Sequence, residues 1–248
     1  EAAKIKPVLV LKSGITESGA RTVASHTGAL AGSEKVWDGL LRQAGAIRVY
    51  SLGELIDMAL AFSYLPLTLG RRIAVLGVGG GTTVLATDDC AGAGLIVPSF
   101  PEEIRRRFSR LLKGEAGTIL NNPIDLAVDA WEIGFYQILK ILTEYDGIDL
   151  TIVHFPLGLA PFQPSVQSEM WDFLLRDVIR AHRELAKPMI AVIHIPTFAE
   201  DYQWMLEAQR KCYEAGIAVY HSIASAAKAI DRFLSYHERK CVGGQGYI

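Results

Sequence analysis

The 248-residue sequence lacks the features that mark several classes of protein. It has 3 cysteines, Cys90, Cys212 and Cys241, and no Cys-x-x-Cys pair, which excludes a disulfide framework and a zinc knuckle. No apolar run reaches the roughly 18–20 residues of a membrane span, and the N-terminus lacks a signal peptide's apolar core. With 25 basic and 27 acidic residues, no basic excess exists to bind nucleic acid or an anionic membrane. We therefore expect a cytoplasmic protein with neither partner.

Short apolar runs alternate with longer amphipathic segments. The runs are rich in β-branched residues and apolar on both faces, as buried parallel strands must be. They lie at 7–12, 47–50, 72–78, 150–155, 189–195 and 217–220. Because this alternation is typical of helices packed on both faces of a parallel sheet, we predict an α/β fold of doubly wound parallel sheets. For the second part of the chain we expect five strands in the order 2-1-3-4-5.

A segment with Pro66, Gly70 and two arginines divides the sequence. Residues 1–66 hold only two predicted strands, which are too few to cover a core. Residues 70–240 hold enough strand–helix repeats for a complete doubly wound domain. We therefore expect the first part to be a portion of a domain that another chain or copy completes, and the glycine-rich 241–248 to be a flexible tail.

Two helices are expected to begin with a capping box, in which a Ser is followed three residues later by a Glu. The pairs are Ser51 with Glu54 and Ser99 with Glu102. Each pair precedes an amphipathic run, so the pattern predicts one helix start after each serine.

The second part contains a glycine-rich turn between a strand and a helix. Its residues are Gly79, Gly80, Gly81, Thr82 and Thr83. The N–H groups of a helix start, together with two hydroxyls, predict an anion site. The Walker pattern is missing, and the dinucleotide pattern fails at its third glycine and at the acid expected after the next predicted strand, 95–100. A tight turn without a ligand is the alternative interpretation.

The first part has a longer glycine-rich stretch, 13–29, which we predict to be a loop. His26 lies near its end among small and hydroxyl-bearing residues, and the chain then runs toward a helix start near Gly32. Lys12 and Arg21 add positive charge without an evident acidic partner. A single histidine is more often structural, but small neighbours leave this ring accessible. A neutral imidazole can accept and pass on a phosphoryl group, which helix N-termini would stabilise.

The same stretch carries a long motif. It consists of Lys12-Ser13-Gly14, Glu17-Ser18-Gly19-Ala20-Arg21 and Ser25-His26-Thr27-Gly28-Ala29-Leu30-Ala31-Gly32-Ser33. On these residues the chain resembles the ligase domain of the NDP-forming acyl-CoA synthetases, the relatives of succinyl-CoA synthetase that include ADP-forming acetyl-CoA synthetase. The run "NNPIDL" at 121–126 is similar to an Asn-Pro-x-Asp-Leu pattern in the family's second ligase domain. The resemblance covers about residues 1–236.

The resemblance implies flavodoxin-like, succinyl-CoA synthetase-like sheets, one partial and one complete. It implies an acid–CoA ligase reaction in which a phosphohistidine at His26 relays a phosphoryl group between an acyl phosphate and ADP. Two glycine-rich helix starts would bind the phosphate from two domains. The expected phosphate-binding residues are Ser25, Thr27, Gly28, Gly79, Gly80, Gly81, Thr82 and Thr83. No metal site and no covalent group other than this phosphate are expected, and CoA, ATP or ADP, Mg²⁺ and a small carboxylic acid are substrates of the complete enzyme.

The CoA-binding and ATP-grasp domains of the family are not part of this sequence. We expect them as partner domains or subunits, with an oligomeric assembly and no activity of this chain alone. The family has Asn-Ala-Gly-Gly-Pro-Gly where this chain has Thr82 and Thr83 in the proline region. Two alternatives therefore stay open: a non-catalytic module of the same fold that binds acyl-CoA or phosphate, and a ligase-like acyl or carbamoyl transferase.

The remaining histidines and a pair of aspartates are weaker candidates. His154 and His194 each end a predicted strand, where open α/β sheets bind ligands. The structural alternative for both is a ring that is hydrogen-bonded to backbone. Surface or packing roles are expected for His182, His221 and His237. Asp88 and Asp89 are interpreted as a solvated helix face rather than metal ligands.

Overall fold

The computed structural model describes residues 1–27, 32–67, 70–78, 80–112, 119–126, 135–157 and 164–242. The chain divides into two compact units, Glu1–Ser63 and Tyr64–Ile248. The boundary therefore falls slightly before Pro66, where composition had placed it. Each unit is described by itself.

The first unit contains a short parallel sheet with helices around it. Its elements are α1 (Ala2–Ile5), β1 (Leu9–Leu11), α2 (Glu17–Thr27), α3 (Glu34–Gln43), β2 (Ile47–Val49) and α4 (Leu52–Tyr64). Strand β1 pairs in parallel with β2, with Leu9 opposite Ile47. The buried Arg48 of β2 donates to Glu34 at 2.9 Å and to Asp38, so that two carboxylates of α3 neutralise its charge. This ion-pair group holds α3 against the sheet.

The serine half of the capping box predicted at Ser51 is present, whereas Glu54 bonds the residue before the N-cap instead of the N-cap itself. At the start of α4, Ser51 Oγ accepts the Glu54 N–H at 3.1 Å, while the Glu54 carboxylate accepts the N–H of Tyr50 at 2.6 Å. The box predicted at Ser99 is wrong. Helix α6 (Glu102–Leu111) follows Pro101 as its N-cap, which makes no side-chain cap bond. Proline fixes φ near its helical value and starts this helix without a hydroxyl acceptor.

The second unit is built on a six-stranded sheet. Its strands are β3 (Ile73–Val78), β4 (Ile119–Leu120), β5 (Ile124–Leu126), β6 (Leu150–Phe155), β7 (Met189–Ile193) and β8 (Val219–Tyr220). They lie in the order β4-β5-β3-β6-β7-β8, and only β4 pairs antiparallel. The five parallel strands follow the predicted order 2-1-3-4-5, and β4 is an addition at one edge. The strand predicted at 95–100 is wrong: only Ile96 forms a bridge, to Arg72, and β5 occupies the place beside β3.

Helices cover both faces of this sheet. They are α5 (Gly80–Gly92), α6, α7 (Phe135–Glu144), α8 (Pro164–Glu184), α9 (Glu200–Ala215) and α10 (Ile223–Val242). Side chains of α6 to α9 pack with one face in a continuous apolar cluster that includes Leu76, Val153 and Phe155. Helices α5 and α10 contact each other and the strands on the opposite face. Helix α10 continues two residues into the expected tail, and 243–248 lie outside the described residues.

Asn122, the asparagine of the "NNPIDL" run, is a structural residue. Its Oδ1 accepts the Val75 N–H at 3.0 Å, and its Nδ2 donates to the carbonyl oxygens of Ile73 at 2.7 Å and Pro98 at 3.1 Å. The side chain is only 9 % exposed. One buried amide therefore joins the central strand, the segment after α5 and the start of β5.

His154 is the opposite case, a polar residue buried in β6 without a hydrogen bond. Its side chain is 0 % exposed, and neither ring nitrogen has a hydrogen-bond partner in the described part of the chain. Burial, and to a smaller extent the neighbouring His194, lowers the pKa of His154 to about 3. The ring is therefore neutral throughout the physiological pH range.

Replacing Asn122 with Leu should destabilise the protein strongly. The substitution keeps the branching of the side chain but leaves the N–H of Val75 and two carbonyl oxygens without their partner, at a cost of about 3 kcal/mol or more. Urea unfolding measures the loss. The exposed Gln203 on α9 is the matched control, and Gln203→Leu should change stability by less than about 0.5 kcal/mol. Equal effects of the two substitutions would contradict the structural role.

His154 should make the protein less stable in acid. An unfolded histidine titrates near pH 6.5, whereas this ring gains its proton only near pH 3 in the fold. Between these values the unfolded chain binds more protons, so stability is complete above about pH 6.5 and falls as the pH drops. The full difference is on the order of 5 kcal/mol.

His154→Leu should flatten this acid dependence and leave stability near pH 8 unchanged or higher, because no hydrogen bond is lost. Urea unfolding from pH 8 to pH 4 measures both effects. Gln203→Leu, at an exposed residue that does not titrate, is the control and should keep the wild-type slope. A His154→Leu protein with the wild-type pH dependence would show that another group causes it.

Candidate functional site

The segment that carries His26 is a helix rather than the predicted loop. Helix α2 spans Glu17–Thr27. The Thr16 hydroxyl caps it by accepting the Gly19 N–H at 3.1 Å, and Glu17 pairs with Arg21 at 2.7 Å across one turn. Arg21 therefore has an acidic partner, contrary to our expectation. The loop was predicted from the high content of Gly, Ser and Thr. That prediction gave too little weight to the helix cap at Thr16 and to the i,i+4 ion pair that follows it.

The glycines of the motif shape the turn that leads into α2. Gly14 has φ of +74°, a conformation that favours glycine. A Cβ on Gly19 would lie 3.1 Å from Thr16 Oγ1 and 3.2 Å from the Cα of Gly14. The two glycines thus permit a close approach of backbone at the start of the helix.

His26 lies in the last turn of α2. Its side chain is exposed and makes no hydrogen bond to any described residue. The carbonyl end of a helix carries partial negative charge, so α2 itself favours a cation at this position rather than an anion. The Ser25 hydroxyl, predicted to bind phosphate, donates to the carbonyl oxygen of Thr22 at 2.8 Å. Gly28 lies outside the described residues, as does the side chain of Thr27.

Helix α3, which follows the motif, has a mixed electrostatic character at its start. Gly32 has φ of +69°, and a Cβ there would lie 3.1 Å from the Trp37 Nε1. Ser33 is the N-cap and makes no side-chain cap bond. The first turn contains Glu34, whose carboxylate already pairs with Arg48 at 2.9 Å. An anion at this start would meet the N–H groups but also a carboxylate.

Helix α5 begins at Gly80, and its start has no acidic group that would oppose an anion in the first turn. Its first N–H groups point out of the helix without intrahelical acceptors. A Cβ on Gly81 would have nothing within 4 Å, so there is open space beside this turn. Thr82 is half-buried and Thr83 is only 3 % exposed, so the Thr83 hydroxyl faces the protein interior. Gly79 lies outside the described residues.

Three histidines lie at the carboxyl ends of neighbouring strands. The rings of His154 in β6 and His194, just after β7, have centroids 4.8 Å apart at 66°. His221, just after β8, donates from Nδ1 to the Ile193 carbonyl oxygen at 3.1 Å. Burial, and then His221, lowers the pKa of His194. We had considered a ring hydrogen-bonded to backbone as the structural alternative for His154, and the structure does not show it there. The structure shows such a bond for His221, for which we had expected a surface or packing role.

A glycine in β3 makes room for the buried imidazole. A Cβ on Gly77 would lie 3.2 Å from the Cβ and 3.3 Å from the Nδ1 of His154. A glycine inside a strand of larger apolar residues often marks such a close approach. Gly77 could therefore have indicated the close packing from the sequence alone.

Other reactive groups do not form a site in the part of the chain that the structure describes. Burial raises the pKa of the Cys90 and Cys212 thiols to about 12, which keeps them protonated and unreactive. No cluster of three or more His, Cys, Asp or Glu side chains suited to a metal ion occurs among the described residues. None of the described helices combines the length and apolar composition that crossing a membrane requires.

Comparison with known proteins identifies related chains. Residues 1–62 match the model of the succinyl-CoA ligase like flavodoxin domain. The alpha subunit of the ADP-forming acetate–CoA ligase II of Pyrococcus furiosus is 30% identical over 250 residues, which cover 98% of this chain and 50% of that subunit. The ADP-forming 4-hydroxybutyrate–CoA ligase of Nitrosopumilus maritimus is 39% identical over 147 residues, or 59% of this chain and 21% of that enzyme.

A solved structure has the same fold. It is an acetyl-coenzyme A synthetase 1 of Candidatus Korarchaeum cryptofilum in complex with phosphate and ADP, with a TM-score of 0.72 at 24% identity. The match covers 99% of this chain and 50% of that one. The chain thus spans about half the length of the first relatives it matches. Residues 1–62 thus match a succinyl-CoA ligase-like flavodoxin domain, and the resemblance of the chain to the NDP-forming acyl-CoA synthetases is confirmed.

Proposed function

We propose that this chain is the phosphoryl-relay portion of an ADP-forming acyl-CoA ligase, with His26 as the carrier. The observation that carries the proposal is the exposed His26 ring, without a hydrogen bond to a described residue, inside the motif of a domain whose relatives are ADP-forming ligases. The reaction converts acyl-CoA, ADP and phosphate into a carboxylate, CoA and ATP.

The chemistry of His26 follows from its exposure. A neutral ring nitrogen attacks the phosphorus of an acyl phosphate, the bond from phosphorus to the acyl oxygen breaks, and the carboxylate leaves. An oxygen of the ADP β-phosphate then attacks the phosphohistidine, which restores the ring and yields ATP. The ring needs no internal base, because its nucleophilic nitrogen is unprotonated when the imidazole is neutral.

Phosphate binding is assigned to the start of α5. The N–H groups of Gly80 and Gly81 supply donors, and the positive end of the helix dipole favours an anion. The Thr83 hydroxyl is buried and is not assigned to the phosphate. Ser25 would have to release the Thr22 carbonyl before it could bind phosphate.

The first unit also indicates partner domains. Among the described residues, β1 pairs with β2 on one side only, and a two-stranded sheet is marginal by itself. Large apolar side chains on the surrounding elements are exposed, among them Leu11, Val36, Leu40 and Ile56. We infer that further strands and helices of the ligase cover these surfaces, together with the domains that bind CoA and nucleotide.

His26→Asn should abolish phosphoryl transfer in the assembled enzyme, because no isosteric amide replaces a nucleophile, and such losses reach several orders of magnitude. Incubation with labelled ATP and Mg²⁺, followed by peptide mapping, measures the transfer. Folding should be nearly unchanged, since the side chain is exposed. Ser25→Ala is the control and should retain the label, which acid but not alkali removes. Label in the His26→Asn protein would refute the carrier, and an assembled wild type without label would favour the non-catalytic module.

A carboxylate at the start of α5 should weaken phosphate binding. Gly81→Asp adds a negative charge in open space at the positive helix end, so it should raise stability by about 0.3–1 kcal/mol while competing with phosphate. We expect the KM for phosphate in the assembled enzyme to rise at least about tenfold. Gly92→Asp is the matched control, because it adds the same charge in open space at the other end of the same helix. An equal KM effect of both variants would show a general charge effect instead of a site.

A further inference from the structure

The chemistry proposed for His26 does not use the histidine pair in the second unit. His154 is fully buried without a hydrogen bond, and the half-buried His194 beside it has no ring hydrogen bond to a described residue. Leaving a buried polar group without a partner costs about 1–3 kcal/mol, so the two unpartnered ring nitrogens of His154 are an exception among folded proteins.

The pair lies where an open α/β sheet binds ligands. His154 lies opposite Val192 near the carboxyl end of the sheet, and His194 directly follows β7. This is the edge at which α5 begins after β3. His194 is the accessible ring, and His154 lies behind it against the glycine of β3.

Few charged groups surround the pair. His221 is the nearest titratable group on the side of β8 and α10, and the buried Asp125 lies beyond Gly77 on the same face of the sheet. The buried residues of α5 are Thr83, Ala86 and Cys90, and the Cys90 thiol stays protonated. The buried residues of α10 next to β8 are apolar, including Ile223, Ala226 and Ala227. No lysine or arginine therefore supplies positive charge from these buried faces.

We propose that His194 and His154 form a subsite for an oxyanion, phosphate or carboxylate, that binds together with one proton. The proton adds to the free nitrogen of His194, which becomes an imidazolium with two N–H donors. One N–H binds the oxyanion, and after a rotation of the ring the other donates to His154, which stays neutral as the acceptor. The anion, the proton and the acceptor nitrogen of His154 thereby obtain partners in one step.

The coupling of proton and anion follows from burial. A charge on His194 alone is opposed by desolvation, and an anion alone would meet neutral rings without sufficient donors. Binding of the anion therefore favours protonation of His194, and protonation favours binding of the anion, as in linked equilibria. The proposal does not depend on the phosphoryl relay, because none of its residues belongs to α2.

Titration of the ¹⁵N-histidine-labelled chain tests the subsite by NMR of the ring nitrogens, with inorganic phosphate, acetate or chloride added. We expect phosphate, acetate or both to raise the pKa of His194 by at least about one unit and to shift the His154 signals, while chloride does neither. Calorimetry in buffers of different ionisation enthalpy should show uptake of about one proton per anion near neutral pH. A response to phosphate alone assigns the subsite to a phosphoryl group, and a response to acetate alone assigns it to a carboxylate.

Variants separate this subsite from the others. His194→Gln should remove the proton uptake and weaken binding at least about tenfold, since the amide cannot become charged. His154→Leu should also remove the uptake, and circular dichroism verifies its fold. His26→Asn, which disables the proposed relay, should leave both unchanged. The proposal is overturned if neither anion moves the His194 pKa, if only Zn²⁺ shifts the rings, or if Gly81→Asp abolishes the response while His194→Gln does not.

Discussion

The second unit depends on β3, a strand that is buried along its whole length. The Asn122 amide bonds the Val75 N–H and the Ile73 carbonyl at one end, and Gly77 makes room for the His154 imidazole near the other. Helix α5 then begins two residues after the strand ends. Because β3 is covered on both faces, each of these polar features had to be accommodated by a specific neighbour. The candidate phosphate site and the histidine pair are therefore both positioned by one apolar strand.

The strands that are long and apolar were predictable from the sequence. Strands β3, β6 and β7 are apolar on both faces, which favours a parallel sheet covered by helices on both sides. The order of the five parallel strands follows from the rules for crossover connections. The short strand β5 escaped because "IDL" has a buried aspartate at its centre. Residues 95–100 were wrongly predicted to be the strand beside β3. Their apolar content could not show which segment of the chain pairs with that strand.

The sequence indicated which residues belong to the candidate site but not their backbone conformation. The motif around His26 was evident, yet the cap at Thr16 and the Glu17–Arg21 pair turn the segment into a helix. These local interactions are worth a few tenths to about one kcal/mol each, which suffices where no tertiary contact opposes them. The isolation of His154 could not be predicted, because it depends on which groups fail to come within hydrogen-bond distance. Only the glycine at position 77 hinted at the close packing.

The same side chain behaves differently in the two units because its environment differs. His26 is exposed at the negative end of a helix, where its ring is open to solvent. His154 is fully buried, so that protonation is suppressed over most of the pH range. His194 lies between these extremes, half-buried beside a ring that cannot compete for its proton. A group in this intermediate position is the one whose charge a bound anion can control, which is why the accessible ring of the pair, and not the buried one, is expected to sense the ligand.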